Sequence, residues 1–176
     1  MWILLVLGLL TVGCGEEVVV SSPGKAATVG GVEFTVGDYD IRYLEITEGD
    51  DTYEYPRPVL VVPISLKNVG EGSFIYSPSH SSQQMSEAST PLLYLNPGPE
   101  ADLPPESKTN INGVFLEKGS PEGQITTATT IEKGQSIRDI LLFEVPDAAN
   151  DLVLSLPPSM HRGKMPVLFK FPFEPR

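Results

Sequence analysis

The sequence holds little of what disulfide-stabilised, metal-binding or nucleic-acid-binding proteins depend on. Its 176 residues include one cysteine and two histidines. A single cysteine excludes an internal disulfide. Only 12 Lys and Arg stand against 23 Asp and Glu, and the resulting formal charge of −11 repels nucleic-acid phosphates. We therefore predict no nucleic-acid partner.

Common catalytic motifs are missing as well. The sequence has no Gly-x-Ser-x-Gly elbow, Gly-rich phosphate loop, Cys-x-x-Cys pair or His-Glu-x-x-His helix. Having only two histidines limits base catalysis and metal ligation together. The sequence therefore predicts a protein that is not an enzyme, has no catalytic residues and carries no cofactor.

Helical spacing is also absent, whereas residues that interrupt regular structure are abundant. With 16 Gly and 17 Pro, nearly a fifth of the chain belongs to these two types, against about 12% in ordinary proteins. Together with 40% apolar and 20% charged residues, this composition excludes a coiled coil, a helical bundle and a disordered acidic tail. It predicts one domain of many short strands.

The N-terminus is an uncharged apolar run. Residues 1–13 are too few for a membrane-spanning helix, which needs about 20 residues, but they match the apolar centre of an export signal. The run ends in Leu10-Thr11-Val12-Gly13-Cys14, which resembles the lipobox of bacterial lipoprotein signals. This resemblance implies cleavage before Cys14, lipidation of its thiol, and an extracytoplasmic, membrane-anchored protein in the periplasm or on the cell surface. The alternative is an apolar N-terminal strand with a buried free cysteine.

Three regions follow from this interpretation. Residues 1–13 form a lipoprotein signal peptide, residues 14–28 a flexible tether, and residues 29–176 the folded domain. The tether is predicted from its content of Gly, Ser and Ala with one Pro. Within it, Val18-Val19-Val20 could equally add a first strand to the domain.

Inside the domain, apolar residues recur at every second position, as in strands with one buried face. The rows are Val32, Phe34 and Val36; Leu60, Val62, Ile64 and Leu66; Leu141, Phe143 and Val145; Leu152, Leu154 and Leu156; and Val167, Phe169 and Phe171. Pro146, Pro157 and Pro172 are expected to end the last three rows. Shorter strands are predicted near 73–76, 92–95, 112–117 and 124–132.

Two local features depart from simple alternation. The apolar phase slips at residues 43–45, which predicts a β-bulge. Pro63 lacks an amide donor inside the strand with the clearest pattern, which predicts that this strand is an edge or carries a bulge. Strands at this spacing predict an all-β fold, a two-layer antiparallel sandwich.

Parts of this pattern resemble the immunoglobulin-like domains of unknown function that are found on bacterial lipoproteins and are related to secreted immunoprotective antigens. The matching stretches are 31–36, the strand and turn at 61–70, and the Lys133-Gly134 turn that leads into 142–146. The resemblance covers residues 30–172 and implies an immunoglobulin-like β-sandwich. Because that family has no established catalytic residues, it implies none here.

Histidine and methionine provide an alternative function. Imidazole and thioether side chains together suit copper. The chain supplies them in His80, Met85, Met160, His161 and Met165. The alternative is thus a periplasmic copper-binding protein. Against it, Arg162 and Lys164 would repel a cation, and methionines in a turn can simply cover the end of the core.

Two further clusters are interpreted as solvated surface. His80 lies among hydroxyl groups in the segment 77–82, but adjacent residues rarely have the geometry of a nucleophile and its base. Residues 38–54 carry seven acids opposed by Arg42 alone, yet the Asp-x-Asp-x-Asp-Gly pattern of calcium loops is absent. The seven acids are Asp38, Asp40, Glu45, Glu48, Asp50, Asp51 and Glu54.

The predicted function is that of a lipid-anchored β-sandwich that binds another molecule at the cell envelope. Its predicted partners are the membrane, through the lipid at Cys14, and an unidentified envelope protein or ligand. A rigid sandwich presents loops at its ends, so residues 77–109 and 118–124 are the predicted contact surface.

Overall fold

The computed structural model describes residues 19–77, 91–95, 110–111, 113–114, 116, 119–146 and 150–173. Within these ranges the regular structure consists of strands and one short 3-10 turn, Pro158–Met160. The strands are β1 (Val19–Ser21), β2 (Ala27–Val29), β3 (Val32–Val36), β4 (Asp40–Arg42), β5 (Glu45–Glu48), β6 (Asp51–Glu54), β7 (Val59–Asn68), β8 (Phe74–Tyr76), β9 (Leu92–Leu95), β10 (Asn110–Ile111), β11 (Thr129–Ile131), β12 (Ser136–Glu144), β13 (Asn150–Leu156) and β14 (Val167–Phe173). No helix in the described ranges has the length and apolar character needed to cross a bilayer.

Two sheets face each other across one core and form the sandwich. The first has the strand order β1-β14-β13-β9-β10, and the second has the order β12-β7-β3-β2, with β4 also paired to β7. Neighbouring strands run antiparallel except β1 and β14, which are parallel. Two small sheets, β8 with β11 and β5 with β6, complete the described fold. The predicted class, an all-β antiparallel sandwich, is confirmed.

The main core lies between the two sheets and is built from the predicted apolar rows. One row of β7 is at most 2% exposed: Leu60, Val62, Ile64 and Leu66. From the facing sheet, β13 and β14 contribute fully buried side chains: Leu152, Leu154, Leu156, Val167 and Phe169. Burying one such side chain stabilises the fold by about 1.5–3 kcal/mol. These rows therefore supply much of the favourable free energy of folding.

A second apolar cluster, here called the outer cluster, lies on the opposite face of the β7–β12 pair. Its members are Leu44, Ile46, Val59, Val61, Val114, Ile140 and Leu142. Because successive strand residues point to opposite faces, Val59 and Val61 turn away from the main core. The β5–β6 hairpin covers them and contributes Ile46, which is fully buried. The hairpin is therefore a third layer over half of the second sheet.

The phase slip at residues 43–45 comes from a change of sheet, so the predicted bulge is wrong. β4 pairs with β7 as far as Arg42, and β5 begins at Glu45 in the separate hairpin with β6. Ile41 packs against the main core, whereas Ile46 belongs to the outer cluster. The apolar phase reverses because the chain passes from one core to the other.

Pro63 does not mark an edge strand, because β7 is paired on both sides. β12 runs along one side, where Ile140 lies opposite Pro63. On the other side β3 pairs as far as Ile64, and β4 pairs from Val61. Pro63 thus falls in the gap between β3 and β4, where its carbonyl accepts a hydrogen bond from the Gly37 amide at 2.9 Å. A residue without an amide donor is tolerated at such an interruption of the ladder.

The prolines that follow the C-terminal rows behave in two ways. β12 and β13 stop before Pro146 and Pro157, as predicted. The predicted end at Pro172 is wrong, because β14 continues to Phe173, which is 1% exposed. β1 pairs only with residues 167–169 of β14, so at Pro172 one side of β14 has no described strand that requires an amide donor.

The short strands between β7 and β12 are only partly as predicted. β8 and β9 match the expected positions near 73–76 and 92–95. β11 covers three residues of the strand expected at 124–132. The two-residue strand β10 precedes the strand expected at 112–117, of which only residues 113, 114 and 116 are described. Gly113 forms an isolated bridge to Phe143 of β12. These segments pair with distant parts of the chain, which local alternation does not specify.

The folded domain begins earlier than residue 29. Val19, Val20 and Ser21 pair in parallel with the start of β14, and Ala27 in β2 is 5% exposed. The part of the expected tether that the structure describes, 19–28, is therefore packed into the sandwich. The alternative of a first strand near Val18–Val20 describes this region better, since pairing along the free edge of β14 satisfies the backbone groups of β1. The rest of the tether, the signal peptide and Cys14 lie outside the described residues.

The two ends of the sandwich are defined by the strands that begin or end there. The proximal end, where β1 begins, consists of residues 30–31, 69–73, 132–135 and 157–166. The distal end is the opposite one, where β7 begins and where β12 and β14 end. β7 alone spans 10 residues, which corresponds to about 34 Å. The two ends are therefore separated by roughly the thickness of a small domain.

The proximal end is held by close backbone contacts. The amides of Val69 and Gly70 donate to the Gly31 carbonyl at 2.9 and 2.8 Å. A Cβ placed on Gly30, where φ is +56°, would lie 2.2 Å from the Gly163 nitrogen. Only glycine fits this approach of two turns. The loop after β7, the Gly30-Gly31 turn between β2 and β3, and the 157–166 segment thus form one rigid unit.

Asn68 fixes the turn that the sequence predicts after β7. Its side chain is 1% exposed, and its Nδ2 donates to the carbonyl oxygens of Gly72 at 2.8 Å and Ile131 at 2.9 Å. The Gly70 amide donates to Asn68 Oδ1 at 3.2 Å. A buried amide satisfied in this way rigidifies the turn.

Candidate functional site

The distal end carries a cleft of about 360 Å³. It is lined by Tyr55, Arg57, Pro58, Val59, Val114, Glu144 and Val145. Val59 and Val114 are 1% and 7% exposed and form an apolar floor. Arg57 and Glu144 are exposed at the rim. The cleft therefore combines an apolar base with one charge of each sign.

Backbone pairing positions the cleft. The Tyr55 amide donates to the Leu44 carbonyl at 2.8 Å, and the Val114 amide donates to the Leu142 carbonyl at 2.9 Å. Glu144 stands opposite Val59 in the β7–β12 ladder. Four of the lining residues are thus fixed by strands or by direct hydrogen bonds to strands, as a preformed binding site requires, and the other three directly precede β7 or follow β12. The sequence offers one signal for this site, the second apolar row that Val59 and Val61 add to β7.

A second depression, of about 420 Å³, lies on the outer face of the second sheet towards the proximal end. Its outward side chains are polar: Glu33, Thr35, Ser65, Lys67, Ser136 and Arg138. Each pairs across the ladder, with Lys67 between Glu33 and Ser136, and Ser65 between Thr35 and Arg138. The surface is an open polar sheet face, without the buried apolar floor of the distal cleft.

A buried acid and a buried tyrosine meet inside the main core. Asp139 and Tyr76 are each 1% exposed, and the Tyr76 hydroxyl donates to Asp139 Oδ2 at 2.5 Å. The backbone amides of Ile125 and Ile140 donate to Asp139 Oδ1, both at 2.8 Å. The carboxylate therefore links β12 to β8 and to the segment before β11. Each of its oxygens accepts a hydrogen bond, so its role here is structural.

The environment of Tyr76 favours its protonated form. Burial raises the pKa of the Tyr76 hydroxyl far above its ordinary value, and the nearby charge of Asp139 and the hydrogen bond to it raise the pKa further. The phenol therefore stays protonated in the folded protein throughout the physiological range. Sequence alternation identified Tyr76 as a short-strand residue but gave no sign of its buried acidic partner.

The copper candidates are dispersed. Met160 is 3% exposed in the main core, whereas Met165 is 37% exposed. His161 is 5% exposed, and its ring meets Phe34 edge-on with centroids 5.7 Å apart. His80 and Met85 lie outside the described residues. Met160 thus covers the core as a turn methionine can, and the copper alternative stays a prediction.

The bonding of His161 bears on that alternative. The Gly163 amide donates to His161 Nδ1 at 2.9 Å. A neutral ring whose Nδ1 accepts a hydrogen bond carries its proton on Nε2. While this bond is kept, neither ring nitrogen offers a lone pair to a metal ion. The geometry is that of a histidine that closes a turn.

Six of the acidic residues of 38–54 lie on β4 and on the β5–β6 hairpin, and Asp38 lies just before β4. All seven are described, and the described residues contain no group of three His, Cys, Asp or Glu side chains close enough to hold a metal ion. In β6, every residue from Asp51 to Glu54 is exposed. The acids therefore form a negative surface over the distal half of the second sheet.

Only parts of the predicted contact surface can be located. Most of 77–109 lies outside the described residues, as does residue 118. Within 119–124, Ser120 bridges to Thr47 of β5, Pro121 is buried, and Glu122 is exposed. This segment packs against the hairpin instead of standing free at an end. Contact through 77–109 stays a prediction.

Comparison with known proteins identifies relatives by fold. No protein-family model matches the chain, and no curated protein sequence matches it. The chain is similar to the solved structure of the yjhA protein of Bacillus subtilis, with a TM-score of 0.53 and 17% identity over 86% of this chain and 98% of that chain. At this identity the likeness shows a shared fold alone.

Two further solved structures are similar in outline. One is the ycdA protein of Bacillus subtilis, described as a candidate lipoprotein, with a TM-score of 0.47 and 18% identity over 84% of this chain and 38% of that chain. The other is the secreted protein MPT63 of Mycobacterium tuberculosis, with a TM-score of 0.48 and 12% identity over 90% of this chain and 100% of that chain.

Proposed function

We propose that this protein is a lipid-anchored, extracytoplasmic binding module that is not an enzyme, and that it engages a protein partner through its distal cleft. The observation that carries the proposal is the cleft itself, with its buried valine floor and its Arg57 and Glu144 rim. Such a site fits a segment that presents an apolar side chain beside charged ones.

The anchor is supported by the sequence and by where the fold starts. Cys14 ends the lipobox-like motif, and β1 begins at Val19, five positions later. Five extended residues reach at most about 18 Å. An acylated Cys14 would therefore hold the proximal end close to the bilayer and leave the distal cleft facing away from it.

Binding is favoured over catalysis by the environment of the groups that could act as acids or bases. Asp139 is enclosed by Tyr76 and two backbone amides in the main core. His161 is buried and accepts a hydrogen bond from its own turn. Neither group lines the distal cleft, which contains no described histidine or nucleophilic hydroxyl apart from the Tyr55 phenol.

Site-specific photocrosslinking tests the cleft in the full chain in its native membrane. With benzoylphenylalanine in place of Tyr55, we expect one adduct of defined mass, because Tyr55 lines the cleft. The matched control has the same group in place of Ile75, which is 62% exposed and lies outside the cleft. We expect no such adduct from that position.

A second substitution makes the test specific. Arg57→Glu in the Tyr55 crosslinking variant reverses the positive charge of the rim and should abolish the adduct, while leaving the melting temperature unchanged because Arg57 is exposed. The proposal fails if both crosslinking positions give the same adducts, or if the Tyr55 adduct survives Arg57→Glu.

A further inference from the structure

The proximal end combines exposed apolar side chains with cations. Among the described residues, the large apolar side chains that are exposed are Val20, Tyr43, Tyr53, Val69, Ile75 and Met165. Val69 and Met165, 42% and 37% exposed, belong to the proximal end, and Val20 lies in β1 beside it. Both exposed tyrosines lie on the acidic segment 38–54 instead.

Rigid contacts hold the two proximal apolar residues in place. Val69 donates its amide to Gly31 at 2.9 Å. Arg162, three residues before Met165, donates from Nη1 to the Glu71 carbonyl at 2.7 Å and from Nη2 to the Ser73 carbonyl. The loop with Val69 and the turn with Met165 are thus joined through one guanidinium. Val69 and Met165 are therefore exposed on backbone segments that these contacts hold together.

The charges of this end differ from those of the rest of the molecule. The exposed cations are Lys133, Arg162 and Lys164, while Glu71 forms an ion pair with Lys133 at 2.6 Å and Glu132 is exposed beside it. Near neutrality at this end contrasts with the seven acids and single arginine of residues 38–54. A surface that carries anionic lipid repels the acidic half and tolerates the proximal end.

From these observations we infer that the proximal end is a bilayer-contact surface, in which Val69 and Met165 enter the interface and Arg162 and Lys164 lie at headgroup level. The inference rests on the lipid anchor at Cys14 proposed above. Short apolar side chains flanked by long basic ones are the composition of interfacial contacts, where the basic stems lie along apolar surface and their charges reach water. The lipid supplies the affinity, and this surface fixes the orientation.

Fluorescence quenching by lipid tests the orientation. The acylated full chain is purified and reconstituted into vesicles that contain phosphatidylglycerol and a spin-labelled lipid. A polarity-sensitive dye is attached to a new cysteine in Val69→Cys or Met165→Cys, and in Tyr43→Cys or Tyr53→Cys as controls of similar exposure, 53% and 45%. We expect a blue shift and quenching at the two proximal positions and neither effect at the two tyrosine positions.

A separate set of measurements tests how the basic side chains contribute to the bilayer contact. Replacing phosphatidylglycerol by phosphatidylcholine, or introducing Lys164→Glu, should reduce quenching at Met165→Cys without releasing the protein from the vesicles, because the lipid still holds it. Lys164 is exposed, so the substitution should leave folding intact.

The outcomes separate the surface from the anchor. An acylated chain has no free thiol at Cys14, so the unsubstituted protein takes up no dye. If it takes up no dye but quenching is equal at all four positions, or stronger at the tyrosines, the surface is wrong and the anchor stands. If the unsubstituted protein is labelled at Cys14 and stays in the soluble fraction of cells, the anchor fails and the surface fails with it.

Discussion

The outer face of the β7–β12 pair has two halves that use the same strands in different ways. Towards the distal end its side chains are apolar and lie beneath the β5–β6 hairpin: Val59, Val61, Ile140 and Leu142. Towards the proximal end they are polar and open to solvent: Ser65, Lys67, Ser136 and Arg138. A strand with one apolar row needs one partner layer, whereas a strand with two apolar rows indicates an additional cover. The distal half, which the β5–β6 hairpin covers, is also the half that carries the cleft.

The largest expected effect comes from removing the cover. Ile46→Ala deletes a fully buried side chain from the hairpin and leaves a cavity in the outer cluster, which should lower the free energy of unfolding by about 2–5 kcal/mol. Urea denaturation monitored by far-UV circular dichroism measures the loss. If the loss of unfolding free energy is smaller than that caused by substituting a residue on the polar, uncovered half of this face, the hairpin is not packed on the sheet.

The contact between the hairpin and residues 119–120 gives the next effect. A Cβ at Gly119, where φ is +67°, would lie 2.6 Å from Ile46 Cγ2 and 2.7 Å from the Thr47 carbonyl oxygen. Gly119→Ala should therefore displace the hairpin. The resulting loss of stability adds to the backbone cost of about 1–2 kcal/mol for a positive φ.

Gly49 in the same hairpin is the matched control. Its φ is +62°, but a Cβ there meets nothing within 4 Å. Gly49→Ala should cost only the backbone part of the loss. Equal melting temperatures for Gly49→Ala and Gly119→Ala would contradict the packing of residue 119 against the hairpin.

The buried pair on the inner face of β12 gives an effect that depends on pH. Tyr76→Phe leaves Asp139 Oδ2 without its hydroxyl donor and should lower stability by about 1–3 kcal/mol near neutral pH. The raised pKa of Tyr76 adds stability that is fully present below about pH 10 and is lost as the unfolded chain releases its phenolic proton at higher pH.

The stability difference between wild type and Tyr76→Phe should therefore shrink above about pH 10, by about 1.4 kcal/mol for each further pH unit. Urea unfolding at each pH, with phenolate absorbance as a second readout, checks this expectation. Stability curves that stay parallel above pH 10 would show that Tyr76 titrates normally in the folded protein.

The smallest effect belongs to the open half. Thr35→Ala removes a side chain that lies opposite Ser65 on the uncovered face, and it should change stability by no more than about 0.5 kcal/mol. A loss comparable to that of Ile46→Ala would mean that a further layer also covers the proximal half.

The sequence predicts the buried rows well, because alternation records burial directly. Leu60 to Leu66, Leu152 to Leu156 and Val167 to Phe171 are buried at the expected alternate positions. What alternation does not record is the identity of the neighbouring strand. From the sequence alone, Pro63 predicts an edge strand. It is tolerated in a central strand because β3 ends and β4 begins beside it.

The candidate site was less accessible to sequence reasoning for the same reason. Tyr55, Val114 and Glu144 come from distant parts of the chain and meet only through pairing of β7, β12 and the segment at 113–114. The second apolar row of β7 is the single local sign of this region. Similarly, Asp139 and Tyr76 are 63 positions apart and lie on β12 and β8, two strands that belong to different sheets.

The central claim is that the sandwich is tethered by a lipid at one end and binds at the other, and the anchor is tested most directly by labelled-palmitate incorporation. Cells that express the wild-type chain or Cys14→Ser are grown with labelled palmitate, and the purified chains are compared. The account predicts label in the wild type and none in Cys14→Ser, with the variant leaving the membrane fraction. Absence of label in the wild type, or equal label in both chains, would contradict it.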